Sequence, residues 1–339
     1  MKNWFKKDQH IRLLVQSGFL VLISWIGFQF YGFVRYYQTG GQTSYFHRPP
    51  GVEGFLPISS LMGIKYFLLT GNFNRVHPAG IVLIAIFILL AVLMKKGFCG
   101  WICPVGFLSE YLGKLGIKVF GKNFIVAKWL DYPLRSLKYL VLLFFLAMIV
   151  TMSSFELQTF LNGNYNKIAD VEMLMFFWHI SLLSLIVISA LIILSVFIRN
   201  FWCRYLCPYG AFLGFLSMFS PLKVTRNEDS CTSCQSCTAV CPAHIQIHEK
   251  LRIKSDECMA CGECLAACPE EDTLKFSLTR KMKKTVPVKW YATILVAFFV
   301  IVTGLAMATG YWKSDVKPKV YKELIYNSRN HILSHPEHF

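Results

Sequence analysis

The stretch Cys231-Thr-Ser-Cys234-Gln-Ser-Cys237-Thr-Ala-Val-Cys241-Pro242, answered by Cys258-Met-Ala-Cys261-Gly-Glu-Cys264-Leu-Ala-Ala-Cys268-Pro269, decides how this chain is read. The spacing C-x2-C-x2-C-x3-C-P occurs twice. Short x2 gaps let three thiolates of one loop face a single cubane, while the fourth, on the following helix, reaches the partner cluster. The expected ligand sets are Cys231, Cys234, Cys237 and Cys268 for one [4Fe-4S] cluster, and Cys258, Cys261, Cys264 and Cys241 for the other. Paired C-x2-C units also hold zinc. A third cysteine at the same gap and a closing Cys-Pro, both duplicated, favour iron–sulfur.

Working upstream, the other four of the 12 cysteines form a second repeat. Cys99-Gly-Trp-Ile-Cys103-Pro104-Val-Gly106 matches Cys203-Arg-Tyr-Leu-Cys207-Pro208-Tyr-Gly210. Each follows an apolar stretch that ends in basic residues, Lys95 and Lys96 or Arg199. Each precedes another apolar stretch, Phe107–Leu115 or Ala211–Phe219. Three readings compete for Cys99, Cys103, Cys203 and Cys207: a cluster shared by all four, a redox dithiol at each pair, or a structural or metal-delivery role. A disulfide is disfavoured on a cytoplasmic face, where glutathione keeps thiols reduced.

The remainder of the chain is apolar. Hydrophobic residues make up 55% and charged residues 16%, against about 25% charged in soluble domains. A spanning helix needs about 20 mostly apolar residues. Five stretches qualify: Leu13–Val34, Ala79–Met94, Leu137–Met152, Met175–Ile198 and Val288–Tyr311. The first has Lys2, Lys6, Lys7 and Arg12 before it but runs into Tyr31, Tyr36 and Tyr37 rather than a small-residue cleavage site, so a retained helix is expected. The run Phe55–Leu69, after the Pro49-Pro50-Gly51 turn, is too short for a span and suits an interfacial or re-entrant helix. Trp25, Trp178, Trp290 and Trp312 lie near span ends, as interfacial anchors do.

The net charge of +16 is then mostly a topology signal, and nucleic acid is set aside as a partner. Lys95, Lys96, Lys114, Lys118, Lys122, Lys128 and Arg135 lie between the second and third spans, whereas Lys167 stands among Glu156, Asp170 and Glu172 between the third and fourth. The first loop is expected inside and the second outside. That places the N-terminus and the cysteine-rich segment in the cytoplasm of a bacterial inner membrane, with the C-terminus in the periplasm.

Among the histidines, His10, His244 and His248 read as surface residues. His77 and His179 lie 22 and 24 residues before Cys99 and Cys203, near-equivalent places in the repeat. Ionisable groups at a membrane boundary are functional candidates, so a quinone site or haem ligation is weighed against a hydrogen-bonded interfacial role. Glu53, beside the Phe55 run, is a candidate acceptor for a quinol proton, with a plain surface carboxylate as the alternative. His331, His335 and His338 lie in a polar tail, and their spacing raises a metal site as the lesser reading.

The expected architecture is an α-helical membrane protein. A duplicated four-helix bundle (residues 1–222) carries an inserted cytoplasmic two-cluster ferredoxin domain of α+β type (223–284). A fifth transmembrane helix (285–312) and a periplasmic tail (313–339) follow. This combination resembles the polyferredoxin-like membrane proteins typified by NapH, the C-terminal half of NosR and the CcoG group, over roughly residues 10 to 285. In that family the membrane part is thought to take electrons from quinol and pass them through iron–sulfur centres to membrane or periplasmic cytochromes or iron–sulfur subunits. The resemblance thus implies a quinol dehydrogenase component, with NapH-type subunits nearest. The fifth span and tail after Lys284 depart from the NapH pattern.

Two other functions stand beside it: a cluster-dependent copper reductase serving assembly of a respiratory enzyme, and a redox sensor. The leading reading carries a difficulty. A hydrocarbon core of about 30 Å is too thick for one electron hop from inner clusters to an outer quinone. The quinone must bind near the inner face, or a further carrier, haem at His77 and His179 or a partner subunit, must bridge it.

Overall fold

The computed structural model describes residues 2–328. His331, His335 and His338 lie outside the described residues. The chain is mostly helical. Three helices are long and apolar enough to cross a membrane: Asp8–Gln38, Trp129–Thr151 and Val288–Ala308. They match the first, third and fifth expected spans. Their surfaces are apolar as well: Leu140 and Leu143 are exposed on the second helix, and Val300 and Leu305 on the third. Apolar residues turned outward along whole helices are what a hydrocarbon solvent favours.

The other two expected spans are not single long helices. Pro78–Met94 has 17 residues, which at 1.5 Å per residue gives about 26 Å, short of the hydrocarbon core. The fourth expected span, Met175–Ile198, is broken. Helix Ala169–Trp178 and helix Leu182–Phe197 meet at a bend of 84°. The cause is local: Ser181 accepts a hydrogen bond from the Ser184 backbone N–H at 3.1 Å and so starts a new helix. The Phe55–Leu69 run forms helix Pro57–Thr70, closed by Gly71 in the left-handed conformation at φ 70°.

The fold divides into two compact units that cut across the boundaries drawn from the sequence. One contains the chain up to Leu20, Phe87–Phe144 and Ile186–Val300. Residues 223–284 therefore do not stand apart; they share a unit with both Cys-x3-Cys-Pro loops. Within it, an antiparallel sheet in the order β1 (Lys223–Arg226), β2 (Leu274–Ser277), β3 (Thr285–Val286) brackets the cysteine loops. The register pairs Val224 with Phe276 and Phe276 with Val286. Phe276 stacks on Tyr291 at 4.8 Å, and Tyr291 packs against Trp101 at 5.3 Å while donating to the Met94 carbonyl at 2.7 Å. The first turn of the last spanning helix is thus tied to the loop that carries Cys99 and Cys103.

The second unit holds Val21–Ile86, Phe145–Leu185 and the chain from Ile301. Its core joins Phe30, Phe33, Val34, Val52, Ile168 and Val171 to Tyr321, Leu324 and Ile325. The last three lie on helix Pro318–Ser328, so this part of the expected polar tail is a packed amphipathic helix. Spacings of three and four residues had placed those side chains on one face.

Close helix approach in the first unit depends on small residues. A Cβ at Gly116, in helix Pro104–Phe120, would overlap the Val196 carbonyl, whereas Gly18 faces open space. Gly116→Val should lower the melting temperature of the detergent-solubilised protein, by about 1–3 kcal/mol of overpacking. Gly18→Ala should hold or raise it. Equal melting of both variants would contradict this packing.

Candidate metal centres and a buried charge cluster

The described cysteines are all free. They gather into three quartets, each lining its own cavity, and all three lie in the first unit. Cys231, Cys234, Cys237 and Cys268 line one. Cys241, Cys258, Cys261 and Cys264 line a second. Each quartet takes three thiols from one loop and the fourth from the other, where the chain leaves the short helices Ser236–Ala239 and Glu263–Ala267. The loops turn through left-handed residues: Ser233, Gln235 and Ala260 at φ 56°, 61° and 49°, and Gly262 at 75°. Cys234 of the first quartet is exposed, whereas in the second Cys241, Cys261 and Cys264 are buried.

Cys99, Cys103, Cys203 and Cys207 line the third cavity. Their motif explains itself locally. Cys103 and Cys207 each occupy the N-cap of a helix whose first residue is the following proline. Proline fits that position because its missing N–H would have had no helical partner. The Gly210 N–H donates to the Cys207 sulfur at 3.2 Å. Gly106, the equivalent residue, is required for another reason: a Cβ there would overlap the Cys99 carbonyl. Both pairs thus present sulfur to a helix N-terminus, where N–H groups and the helix dipole favour a thiolate. Burial opposes ionisation, pushing the Cys99 thiol up to about 12 and Cys103 to about 11. Such thiols ionise when a cation replaces the lost water.

Among the described residues no three His, Cys, Asp or Glu side chains are placed to hold a single metal ion. Each quartet lines a cavity, and four thiols are the donor set that a cubane takes. Pro242, Ala243 and Met259 line both the second and the third cavity, so those two share a wall.

Charges expected mostly to set topology also hold this unit together. Arg12 is paired with Glu110 and with Glu263, and donates to the Gly100 carbonyl at 3.1 Å. Lys138, with no exposed surface, pairs with Glu257; Lys95 donates to the Ser255 carbonyl at 2.8 Å. Arg199 donates to the Val240 carbonyl at 2.9 Å, and Arg204 grips Asp131 and the Ala243 carbonyl. Trp101 donates to the Ala260 carbonyl at 2.9 Å. Burial alone would raise Glu110, but Arg12 and Lys114 outweigh it and hold the carboxyl down at about 2. Sequence reading missed these roles. The available signal was position: Lys95, Lys96 and Arg199 each precede a paired cysteine by three or four residues.

In the second unit, Glu53 is fully buried, which overturns its reading as a surface carboxylate. It accepts from Arg48 at 2.7 Å and from the Gly80 N–H at 3.0 Å, and lies 3.5 Å from His77 Nδ1. Arg48 also holds buried Asp170 at 2.8 Å. Burial works against the Glu53 charge, yet Arg48 and His77 keep its carboxyl below the usual range. His77 Nε2 meets the Asn166 carbonyl at 2.5 Å. With both ring nitrogens engaged, His77 has none to give a haem iron, and the haem reading is not carried further. His179 is exposed at the helix break and is not among the partners of His77. Of the surface histidines, His10 is exposed, His248 bonds Thr238 at 2.9 Å, and His244 is half-buried and pushed down to about 4 by burial and by Arg204 and Arg199.

A helical membrane protein with cubane-type cysteine loops belongs to the class of iron–sulfur membrane proteins, and comparison with known proteins agrees. The family described as "4Fe-4S binding domain" matches residues 76–123 and 180–227, one match for each Cys-x3-Cys-Pro copy. The "4Fe-4S dicluster domain" matches 223–269. The chain is 42% identical over 318 residues to the "Putative electron transport protein YccM" of Escherichia coli K12, covering 93% of this chain and 89% of that one. It is 31% identical to the uncharacterised protein MJ0750 of Methanocaldococcus jannaschii, over 56% of this chain and 74% of the relative. To the regulatory protein NosR of Pseudomonas aeruginosa it is 29% identical, over 47% of this chain and 21% of NosR. No solved structure matches. The chain belongs to the polyferredoxin-type membrane electron-transfer family that contains YccM and NosR.

The buried Lys138–Glu257 pair gives a direct test of the docking. Lys138→Met strands a buried carboxylate and should cost about 3–5 kcal/mol. Adding Glu257→Gln should restore much of it. A double variant no more stable than Lys138→Met, in thermal unfolding of the purified protein, would contradict the pairing.

Proposed function

We propose that this chain is a membrane-bound iron–sulfur protein that links the quinone pool to redox partners, as a quinol dehydrogenase component. The observation that carries the reading is three cysteine quartets gathered in one compact unit, two of them sharing a wall. Cys231, Cys234, Cys237 and Cys268 would hold one [4Fe-4S] cluster; Cys258, Cys261, Cys264 and Cys241 a second; Cys99, Cys103, Cys203 and Cys207 a third. What such groups supply when bound is one-electron carriage at a potential set by charge, hydrogen bonding and exposure. The chain's own part is to hold them dry and to present the quartet that contains exposed Cys234 to a partner. The helix-capping sulfurs and the shared Pro242, Ala243 and Met259 wall support the third site.

The Lys and Arg excess supports an inside N-terminus and cysteine-rich unit, and an outside C-terminus, in a bacterial inner membrane. Quinol oxidation releases two electrons and two protons. Glu53, buried beside His77, is the proton acceptor we assign to it, with His77 as its positioning neighbour and a partner subunit carrying the electrons from there to the quartets. The name of YccM supports electron transport but carries no quinone.

Purified protein should contain about twelve iron atoms, four for each cubane, and Cys99→Ser or Cys203→Ser should remove about four. Eight iron atoms, unchanged in both variants, would end the third-cluster reading. In membrane vesicles, quinol should reduce the wild-type clusters. Glu53→Gln and His77→Ala should slow that reduction at least tenfold with cluster spectra intact. Wild-type rates in the double variant would remove the outer cluster from the reaction.

A further inference from the structure

The cavity lined by Cys99, Cys103, Cys203 and Cys207 is walled by more than sulfur. Lys96 lines it and is only 3% exposed. Among the described residues it has no ion pair: Arg204, another cation of the wall, is held by Asp131, and Glu257, the carboxylate of the wall, is paired with Lys138. Glu257 still acts on Lys96 from beyond ion-pair distance, followed by the Cys99 and Cys207 sulfurs and by Asp256, which is bonded by the Tyr139 hydroxyl. A buried ammonium with no direct counter-ion is costly, and proteins retain one where a bound group supplies the opposite charge.

Two neutral polar groups line the same cavity. Asn200 is 4% exposed, lines the same cavity, and its Oδ1 is buried without a hydrogen-bond partner. Turning the amide over presents two N–H donors to the same space. Tyr209 also lines the cavity, and its hydroxyl makes no hydrogen bond among the described residues. The repeat is asymmetric at both levels. Lys96 and Asn200 each stand three residues before the first cysteine of their motif. Val105 and Tyr209 each stand two residues after the second. Each unpartnered polar group comes from one copy only, so duplication of the thiols does not account for them.

We propose that Lys96, Asn200 and Tyr209 are tuning residues for an anionic iron–sulfur group held by the four thiolates: the ammonium offsets its negative charge, and the amide and hydroxyl donate hydrogen bonds to its sulfur atoms. The inference rests on the third-cluster reading. Reduction adds one electron to the group, with no bond made or broken and no proton taken up. Positive charge and sulfur-directed donors favour the more negative, reduced form, so they raise the midpoint potential. Lys96, Asn200 and Tyr209 do not line the two other cavities, so the midpoints there should hold.

The test is a mediated dithionite titration of the full-length protein, followed by electron paramagnetic resonance, with iron and acid-labile sulfide measured on each sample. Lys96→Gln should shift the midpoint of the third centre to more negative potential, leaving the other two centres in place. Lys96→Arg should restore it. Tyr209→Phe and Asn200→Gly, the latter suited to the left-handed backbone at φ 58°, should each shift it the same way by less. Loss of about four iron atoms in Lys96→Gln but not in Lys96→Arg also supports the proposal, since charge is then needed to retain the group. Unchanged midpoints in Lys96→Gln and Tyr209→Phe at full iron content would overturn it. If both Lys96 variants lose iron, an unchanged midpoint in Tyr209→Phe overturns it and a negative shift supports it. A wild-type protein with only eight iron atoms fails at the earlier step, and the iron analysis alone shows that.

Discussion

The first unit depends on one contact: the Met259-Ala260 backbone lying directly on the Gly100-Trp101 turn. Gly100 has no room for a Cβ, which would lie 2.5 Å from the Met259 carbonyl, and Trp101 donates its indole N–H to Ala260. Glycine lets the two backbones approach; tryptophan fixes their register and fills the space beside Tyr291. Because that contact is so close, Met259 lines two thiol cavities at once. A bulkier residue at position 100 would force the loops apart and thicken the wall between them. Electron transfer is steeply sensitive to such separations, so a packing detail at one glycine bears on function.

The duplicated motif shows how one sequence pattern can give two local structures. Gly97–Trp101 winds as an α-helix, whereas Trp202–Leu206 winds as a π-helix. The wider turn leaves Arg204 buried against Asp131 and the Ala243 carbonyl. Single-turn π segments carry poorer hydrogen bonding and persist where a site needs them. Here the reward is the two-sided grip of Arg204 on helix Lys128–Thr151 and on the loop after Cys241. Gly100 faces Met259 in the first copy and Arg204 replaces that contact in the second, so each motif meets the cysteine-rich loops through different chemistry.

Much of this was legible in the sequence because cysteine spacing and apolar length are strong local signals. The quartets at Cys231, Cys234, Cys237, Cys268 and at Cys241, Cys258, Cys261, Cys264 gather as the spacing implies, and the four upstream thiols meet as the repeat implies. The spans were legible where a single helix carries them. The break at His179 was not, because Met175–Ile198 is apolar enough for one span and its serines are scattered, so that nothing singles out Ser181 as the restart. Burial of Glu53 was also hidden: it depends on Arg48, Gly80 and Asp170, brought from separate parts of the chain. Hydrophobic pattern reports which faces meet lipid, but a buried charge cluster is a tertiary arrangement with no period to reveal it.

The basic residues flanking the spans have two physical reasons to be there, and the two coincide. Membrane insertion retains Lys and Arg on the cytoplasmic side. Iron–sulfur groups held by four thiolates are anionic, and moving anions out of water requires nearby cations. Arg12, Lys95, Lys96, Lys138, Arg199 and Arg204 are all buried in the unit that holds the three quartets. Four of them, Arg12, Lys95, Arg199 and Arg204, also hold backbone carbonyls with their charged nitrogens. A cation that bonds a carbonyl beside a cysteine loop fixes the loop and offsets its charge together. Residues of the kind that bias orientation in a bilayer thus also hold the cysteine-rich unit together, and a neutral replacement at Arg12, Lys95, Arg199 or Arg204 would remove a charge and a carbonyl contact at once.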